Sequence, residues 1–253
     1  MLLIPIEREN PVRETPWSVY ILIVVNGLIS VLLWVPEVRA DVVTRLGFVP
    51  ANPHLTTLFT SMFLHAGFWH VAANMFFLWM FGDNVEDILG PALFFIVYAV
   101  CGAAGGLVHW AMNTGSTLPT IGASGAVSGI IGLYMVFFPK ARANLFLLLP
   151  FWYVQTRAYV AILAWFALQV AGALVGEVPA AKPYVHIAFW DHVGGFVTGV
   201  ALGFACLAAG FRERYLHRYA HYWTTLGRPE GPALSGGRPL HPMTRGGPPR
   251  RDV

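Results

Sequence analysis

Long apolar runs, each close to the length that crosses a bilayer, restrict this chain to a helical membrane protein. An α-helix needs about 20 mostly apolar residues to span the hydrocarbon core, where its internal hydrogen bonds satisfy the backbone. The composition agrees, because 56% of the residues are hydrophobic and 11% are charged, against about 25% charged residues in soluble domains. The predicted spans are residues 17–35, 61–82, 91–112, 122–138, 157–175 and 188–209.

Lysine and arginine near the ends of these runs predict that both termini are cytoplasmic. Arg8 and Arg13 precede the first span, and Lys140 and Arg142 lie between the fourth and fifth. Half of the 16 lysines and arginines follow the last span. With six spans, these groups all fall on one side, and basic flanks are typical of the cytoplasmic side. No recognition fold precedes the basic end, so nucleic-acid binding is not expected.

The chain divides into four segments around the apolar runs. Residues 37–60 are predicted to form a long loop, and residues 83–87 a short acidic turn. The four segments are a cytoplasmic N-terminal segment (1–16), a six-helix domain (17–209), a basic juxtamembrane segment (210–225) and a tail (226–253). The start lacks the pattern of a cleavable signal peptide, so the first helix should be retained. The tail is rich in glycine and proline, a composition that predicts disorder.

A serine between glycines opens the fourth span, in the sequence Ile-Gly-Ala-Ser-Gly over residues 121–125. Ser124 would be a nucleophile if a base lay within hydrogen-bond reach. The start of a helix also directs free backbone N–H groups towards a developing oxyanion. The alternative is packing, because Gly125 and Gly129 form a small-xxx-small pair of the kind that joins membrane helices. The motif alone leaves both interpretations open.

A histidine in the sixth span is the candidate base. On a helix, His192 shares a stripe with Gly195, Gly199 and Gly203, so its imidazole should lie where another helix comes closest. Histidine titrates near neutral pH and suits general-base chemistry, although a structural histidine is the alternative. Asp191 points about 100° away on the same helix and is expected to be an interfacial charge.

The second span carries two histidines and an asparagine. His70 and Asn74 are spaced i, i+4 and should share a helix face, from which they could donate hydrogen bonds to an oxyanion. His65 is expected to hold the nearby loop. A metal site is the rival interpretation, but the spacing of His65 and His70 places the two rings apart around the helix, and no HExxH-type acid accompanies them. No metal and no cofactor are therefore expected.

Taken together, these motifs resemble the rhomboid intramembrane serine proteases over about residues 16–209. The matching residues are His65-Ala, His70-xxx-Asn74-Met75, Gly82-xxx-Glu86-xxx-Gly90, Gly122-Ala-Ser124-Gly125 and His192-xx-Gly195-xxx-Gly199. The resemblance implies an all-α integral membrane protein, a bundle of six transmembrane helices with both termini cytoplasmic. Relatives cleave transmembrane helices of other proteins near the outer face.

The resemblance also implies the role of each matching residue. Ser124 attacks the scissile carbonyl, and His192 takes and then returns the proton, in a dyad without an acid. The backbone N–H of Ser124 holds the oxyanion together with the side chains of His70 and Asn74. Glu86 bonds near the cytoplasmic end of spans two and three. The residues with structural roles are His65, Glu86, Gly82, Gly90, Gly195 and Gly199.

The chain departs from the family pattern at two places. Thr56 and Thr57 stand where many relatives carry a Trp-Arg pair that anchors the first loop. Ser128 stands where some relatives carry an aromatic ring that stacks on the catalytic histidine. Other contacts must therefore anchor the loop and orient His192.

The expected function is hydrolysis of peptide bonds in or near transmembrane helices. The expected partners are transmembrane protein substrates and the lipid bilayer, and the expected location is a prokaryotic plasma membrane with the active site opening to its outer face. A catalytically silent relative that binds membrane clients is the main alternative. A small-solute transporter is disfavoured, because the sequence has no convincing inverted repeat or pair of broken helices.

Overall fold

The computed structural model describes residues 4–6, 14–146, 153–175 and 187–220, which form a helical bundle with a small sheet. The predicted disordered tail lies outside these residues. The helices are α1 (Trp17–Leu32), α2 (Pro36–Leu46), α3 (Leu55–Thr60), α4 (Phe68–Leu89), α5 (Pro91–Met112), α6 (Ser124–Phe137), α7 (Ala158–Val175), α8 (Phe189–Ala208) and α9 (Phe211–Arg218), with a 3-10 turn at Ser61–Phe63. The strands are β1 (Ile4–Ile6), β2 (Arg142–Phe146) and β3 (Tyr153–Arg157).

Three of the helices, α5, α7 and α8, are long and apolar enough to cross a membrane. Helices α1 and α6 are also apolar but shorter, at 16 and 14 residues. The ends of α5 and α6 agree with the prediction because prolines set them: Pro91 begins α5, and α6 stops ahead of Pro139. The count of six spans and the cytoplasmic location of the termini remain predictions.

Helix α6 lies at the centre of the bundle. Every residue from Gly125 to Tyr134 is buried, and the helix contacts α4, α5 and α8. A helix that is apolar on all sides is expected to be enclosed in this way. Helix α1 lies on the outside and exposes Val24, Leu28 and Val31 at i, i+4 and i+7, which gives it a face suited to lipid.

Helices α6 and α8 run in the same direction and touch through glycines. A Cβ atom added to Gly195 would overlap the carbonyl group of Gly125, and one added to Gly199 would overlap that of Gly129. Gly203 continues this line of contact against α6. The glycine stripe of α8 and the Gly125–Gly129 pair of α6 therefore lie at the closest approach of the two helices.

The segment between α1 and α4 is not the long loop that was predicted, because it contains α2 and α3. Backbone hydrogen bonds connect it to the segment that precedes α6, and side chains such as Leu58 pack against α5. Phe48 and Thr120 exchange both of their backbone hydrogen bonds, at 3.1 and 2.7 Å, and the N–H of Ala51 donates to the carbonyl of Ser116 at 2.8 Å. These bonds join the first loop to the segment that leads into α6, without a Trp-Arg pair.

The acidic segment predicted as a turn is instead the last part of α4, and the carboxylates of Glu86 and Asp87 are buried with partners. Glu86 accepts the backbone N–H groups of Ser18 (2.9 Å) and Val19 (3.0 Å), which are in the first turn of α1. Asp87 accepts the hydroxyl of Tyr215 at 3.2 Å. A buried carboxylate is tolerated where it is hydrogen-bonded, and Glu86 thereby caps α1.

Gly90 joins α4 to α5 with φ +80° and ψ 160°, a region of backbone conformation that is essentially restricted to glycine and that other residues adopt at a cost of about 1–3 kcal/mol. We expect Gly90→Ala to lower the free energy of unfolding by about that amount, measured by denaturant titration in detergent. Its added Cβ would meet nothing within 4 Å, so strain is the only penalty. The control is Gly67→Ala, where the site is equally open and the backbone is extended. An equal loss in both variants would contradict the argument.

The three strands form an antiparallel sheet in the order β1–β2–β3. Ile4 pairs with Phe146, and Arg142 pairs with Arg157. The prediction of an all-α protein is therefore wrong in this part of the chain. Between α6 and α7, strand pairing satisfies backbone groups of the described residues 142–146 and 153–157.

Candidate active site

Ser124 is the first residue of α6 and is half-buried. Gly122, two residues earlier, has φ +130°, and its N–H donates to the carbonyl of Ser61 at 2.9 Å. This backbone conformation favours glycine and turns the chain sharply into the helix. The first amides of α6 have no partner within the helix, so the serine lies beside backbone donors.

The hydroxyl of Ser124 donates to Oδ2 of Asp191 at 3.3 Å. Asp191 is only 7% exposed, and its carboxylate also accepts the backbone N–H of Gly125. It fits a slot in which Gly105 and Gly125 have no side chains, since a Cβ on either glycine would overlap the carboxylate. The expectation of an interfacial charge at Asp191 is therefore wrong. Asp191 and His192 point in different directions from α8, as predicted, but the start of α6 lies on the side to which Asp191 points.

His192 follows on α8, one turn before the contact between Gly195 and Gly125. Its Nδ1 atom lies 2.7 Å from Oε1 of Gln169 on α7. Among the described residues, neither Ser124 nor His192 has a hydrogen bond to the other. The parallel register of α6 and α8 nevertheless brings both to the same end of the helix pair.

His70, on the first turn of α4, faces the segment that precedes the serine. A Cβ on Gly122 would lie 2.9 Å from both Nε2 and Cε1 of His70, and 3.7 Å from Oγ of Ser124. The backbone N–H of Ala66 donates to Nδ1 of His70 at 3.3 Å. Nδ1 therefore carries no proton, and the neutral ring has its N–H at Nε2, on the side of Gly122.

Asn74 and His65 lie on either side of His70 along the chain. Asn74 is buried, and its amide donates to the carbonyl of His70 at 3.0 Å, within its own helix. His65 is 2% exposed and packs edge-on against the His70 ring, with centroids 5.1 Å apart. Among the described residues, no three His, Cys, Asp or Glu side chains form a group that could hold a metal ion.

The remaining predicted residues lie in the frame around the site. Gly82 on α4 lies against Val19 of α1, where an added Cβ would come within 2.9 Å of a methyl group. Gly90 turns the chain into α5, Gly195 and Gly199 hold α8 against α6, and the side chain of Glu86 bonds to α1 beside the start of α5.

Sequence reasoning missed Gln169 and the neighbours of His192. Trp165 on α7 stacks on the imidazole, with centroids 6.3 Å apart and an interplanar angle of 27°. Phe189 meets the imidazole edge-on at 6.3 Å. These two rings contact His192 in a chain that has Ser128 where some relatives carry an aromatic ring against this histidine. The available signal was Gln169 itself, an amide in an otherwise apolar membrane helix, where polar groups need a partner.

A small cavity lies between the 3-10 turn, α5 and the start of α6. Gly122, Gly125 and Asp191 are among its lining residues, so it lies close to the segment that carries Ser124.

Comparison with known proteins agrees with the motifs. The model of the Rhomboid domain family matches residues 52–209. The chain is 30% identical over 194 residues to the presenilin-associated rhomboid-like protein, mitochondrial, of Mus musculus, covering 76% of this chain and 49% of that protein. It is 34% identical over 158 residues to rhomboid protein 1, mitochondrial, of Saccharomyces cerevisiae, covering 61% and 42%.

The putative rhomboid protease YdcA of Bacillus subtilis is 36% identical over 110 residues, covering 42% of this chain and 50% of that protein. The chain thus spans about half the length of these relatives. The expected location in a prokaryotic plasma membrane is wrong by this comparison, because the mouse and yeast relatives are both named as mitochondrial. With more than half of its residues matched by the family model, the chain belongs to the rhomboid family.

Proposed function

We propose that this protein is an intramembrane serine endopeptidase that hydrolyses peptide bonds in or near the transmembrane helices of other membrane proteins. The observation that carries the proposal is the meeting of three groups at one end of the bundle. Ser124 is the first residue of α6. The glycine contact between α6 and α8 places His192 at the same end of this helix pair, and the ring of His70 lies beside Gly122, two residues before the serine. Six spans with cytoplasmic termini are part of this proposal.

In the proposed reaction, Ser124 attacks the scissile carbonyl and His192 accepts its proton. For this step the hydroxyl must leave Asp191 and turn to His192. The N–H of His70, the amide of Asn74 and the backbone N–H of Ser124 would donate to the oxyanion. His192 then protonates the leaving amine, and water completes hydrolysis of the acyl-enzyme in the same way.

The substrate class follows from the position of these groups in a membrane protein. A transmembrane helix holds its carbonyl groups in internal hydrogen bonds, so it must unwind before a serine can attack one of them. Glycine and proline near the scissile bond make unwinding easier. We therefore expect cleavage to be faster for transmembrane substrates that carry such residues.

One observation favours the second candidate, a catalytically silent protein that binds membrane clients. The hydroxyl of Ser124 is bonded to Asp191 and not to His192. If this bond persists with substrate bound, His192 does not receive the proton of the serine.

Covalent labelling separates the two candidates. Purified protein in detergent is treated with a fluorophosphonate, and mass spectrometry locates the adduct. We expect an adduct on Ser124 in the unaltered protein and none in the folded His192→Ala variant. A folded protein that neither forms the adduct nor cleaves a transmembrane substrate in liposomes would contradict the protease and favour the client-binding protein.

A further inference from the structure

The contact between Gln169 and His192 has a defined direction. The Nε2 group of Gln169 donates to the backbone carbonyl of Trp165 at 3.3 Å, one turn earlier on α7. Only the nitrogen end of the amide can make that bond, so the oxygen end faces α8. Oε1 lies 2.7 Å from Nδ1 of His192, a short distance for a hydrogen bond between nitrogen and oxygen.

This direction determines where the imidazole carries its proton. An amide oxygen only accepts hydrogen bonds, so Nδ1 of His192 must be the donor and must carry the hydrogen. A neutral imidazole has one N–H, and Nε2 is then left with a free lone pair. A serine hydroxyl can give its proton only to such an unprotonated nitrogen.

The surroundings hold the ring in this arrangement. Gln169 is 9% exposed, so little water competes for its oxygen. Trp165 stacks on the imidazole and Phe189 meets its edge. Trp165 and Gln169 are spaced i, i+4, so one face of α7 supplies both the stacked ring and the acceptor.

We propose that Gln169 is a positioning residue for the reaction, which fixes His192 as the Nδ1–H tautomer and leaves Nε2 to accept the proton of Ser124. The inference rests on the proposed protease function. Gln169 would take the orienting part that an aspartate has in a Ser-His-Asp triad. Because its side chain is neutral, it directs the ring without placing a second carboxylate beside Asp191.

The first test compares two substitutions of Gln169. Gln169→Met keeps the length of the side chain but has no acceptor oxygen, whereas Gln169→Glu keeps an acceptor. We expect Gln169→Met to lower kcat on a transmembrane substrate by about 10²-fold, the scale of general-base catalysis, with KM unchanged. Gln169→Glu should recover most of this loss. The control is Leu168→Met, because Leu168 is 64% exposed on the outer side of α7 and its replacement should leave kcat unchanged.

A folded Gln169→Met variant with the kcat of the unaltered protein would overturn the proposal. A rise in KM with kcat unchanged would also overturn it, because that result indicates a role in substrate binding.

The second test reads the tautomer without relying on activity. Nitrogen NMR of protein labelled with ¹⁵N-histidine distinguishes protonated from unprotonated ring nitrogens, and the His192 signals are identified by their loss in His192→Ala. We expect Nδ1 to be protonated in the unaltered protein. An Nε2–H tautomer in protein that cleaves its substrate would overturn the role of Gln169 alone. Failure of the unaltered, folded protein to react with a fluorophosphonate or to cleave would instead overturn the protease function.

Discussion

Replacing Ser124 with alanine is expected to stop peptide-bond hydrolysis, with kcat falling on the order of 10⁴-fold or more. The substitution removes the only group at the start of α6 that can form an acyl-enzyme. Stability should change little, because the hydroxyl makes one hydrogen bond, to Asp191 at 3.3 Å, and that carboxylate keeps the N–H of Gly125. The measurement is cleavage of a transmembrane substrate in liposomes, with the variant's thermal unfolding followed in parallel.

The matched control is Ser18→Ala. Ser18 is fully buried, and its hydroxyl donates to the carbonyl of Pro91 at 3.1 Å, away from the proposed site. It should keep kcat while losing about 1 kcal/mol of stability for the missing hydrogen bond. Cleavage that persists in Ser124→Ala would show that another group attacks the substrate, and Asp191 would be the first to replace.

Replacing Gly199 with alanine is expected to separate α6 from α8 and to destabilise the fold by about 3 kcal/mol. The added Cβ would overlap the backbone carbonyl of Gly129, and a backbone group cannot rotate away as a side chain can. Relief requires the two helices to move apart along their whole contact. That contact fixes the position of His192 relative to Ser124 along the two helices. Labelling of Ser124 by a fluorophosphonate should therefore fall as well.

The free energy of unfolding in mixed micelles measures the effect. Gly27→Ala on α1 is the control, because its added Cβ meets nothing within 4 Å and alanine is the better helix former. Equal stability of the Gly199→Ala and Gly27→Ala variants would contradict the close contact of α6 and α8.

The apolar helices were predictable where a single residue type fixes their limits. Proline begins α5 and follows α6, so these bounds agree with the sequence within about two residues. Helix α4 was not predictable in this way. The sequence predicts a helix from Ser61, but residues 61–67 form a 3-10 turn and a connection before α4. The sequence predicts a turn at the acidic end because the partners of Glu86 are distant in sequence, on α1.

The candidate site was predictable as far as it depends on one helix at a time. The period of α8 aligned His192 with its glycines, and the spacing of His70 and Asn74 put both on α4. Asp191 was misjudged because its burial depends on where α6 begins relative to α8. Gln169 was not singled out because its partner is on another helix, and no local pattern connects the two.

The pair of backbone bonds between Phe48 and Thr120 makes the first loop and the approach to Ser124 one mechanical unit. Lifting the loop would break both bonds and pull on Gly122, whose own N–H is held by Ser61. In the proposed protease, such a movement would displace Ser124 from the scissile bond. We therefore expect the first loop to stay in place, and a substrate helix to reach the site from a side where these bonds do not join the two segments.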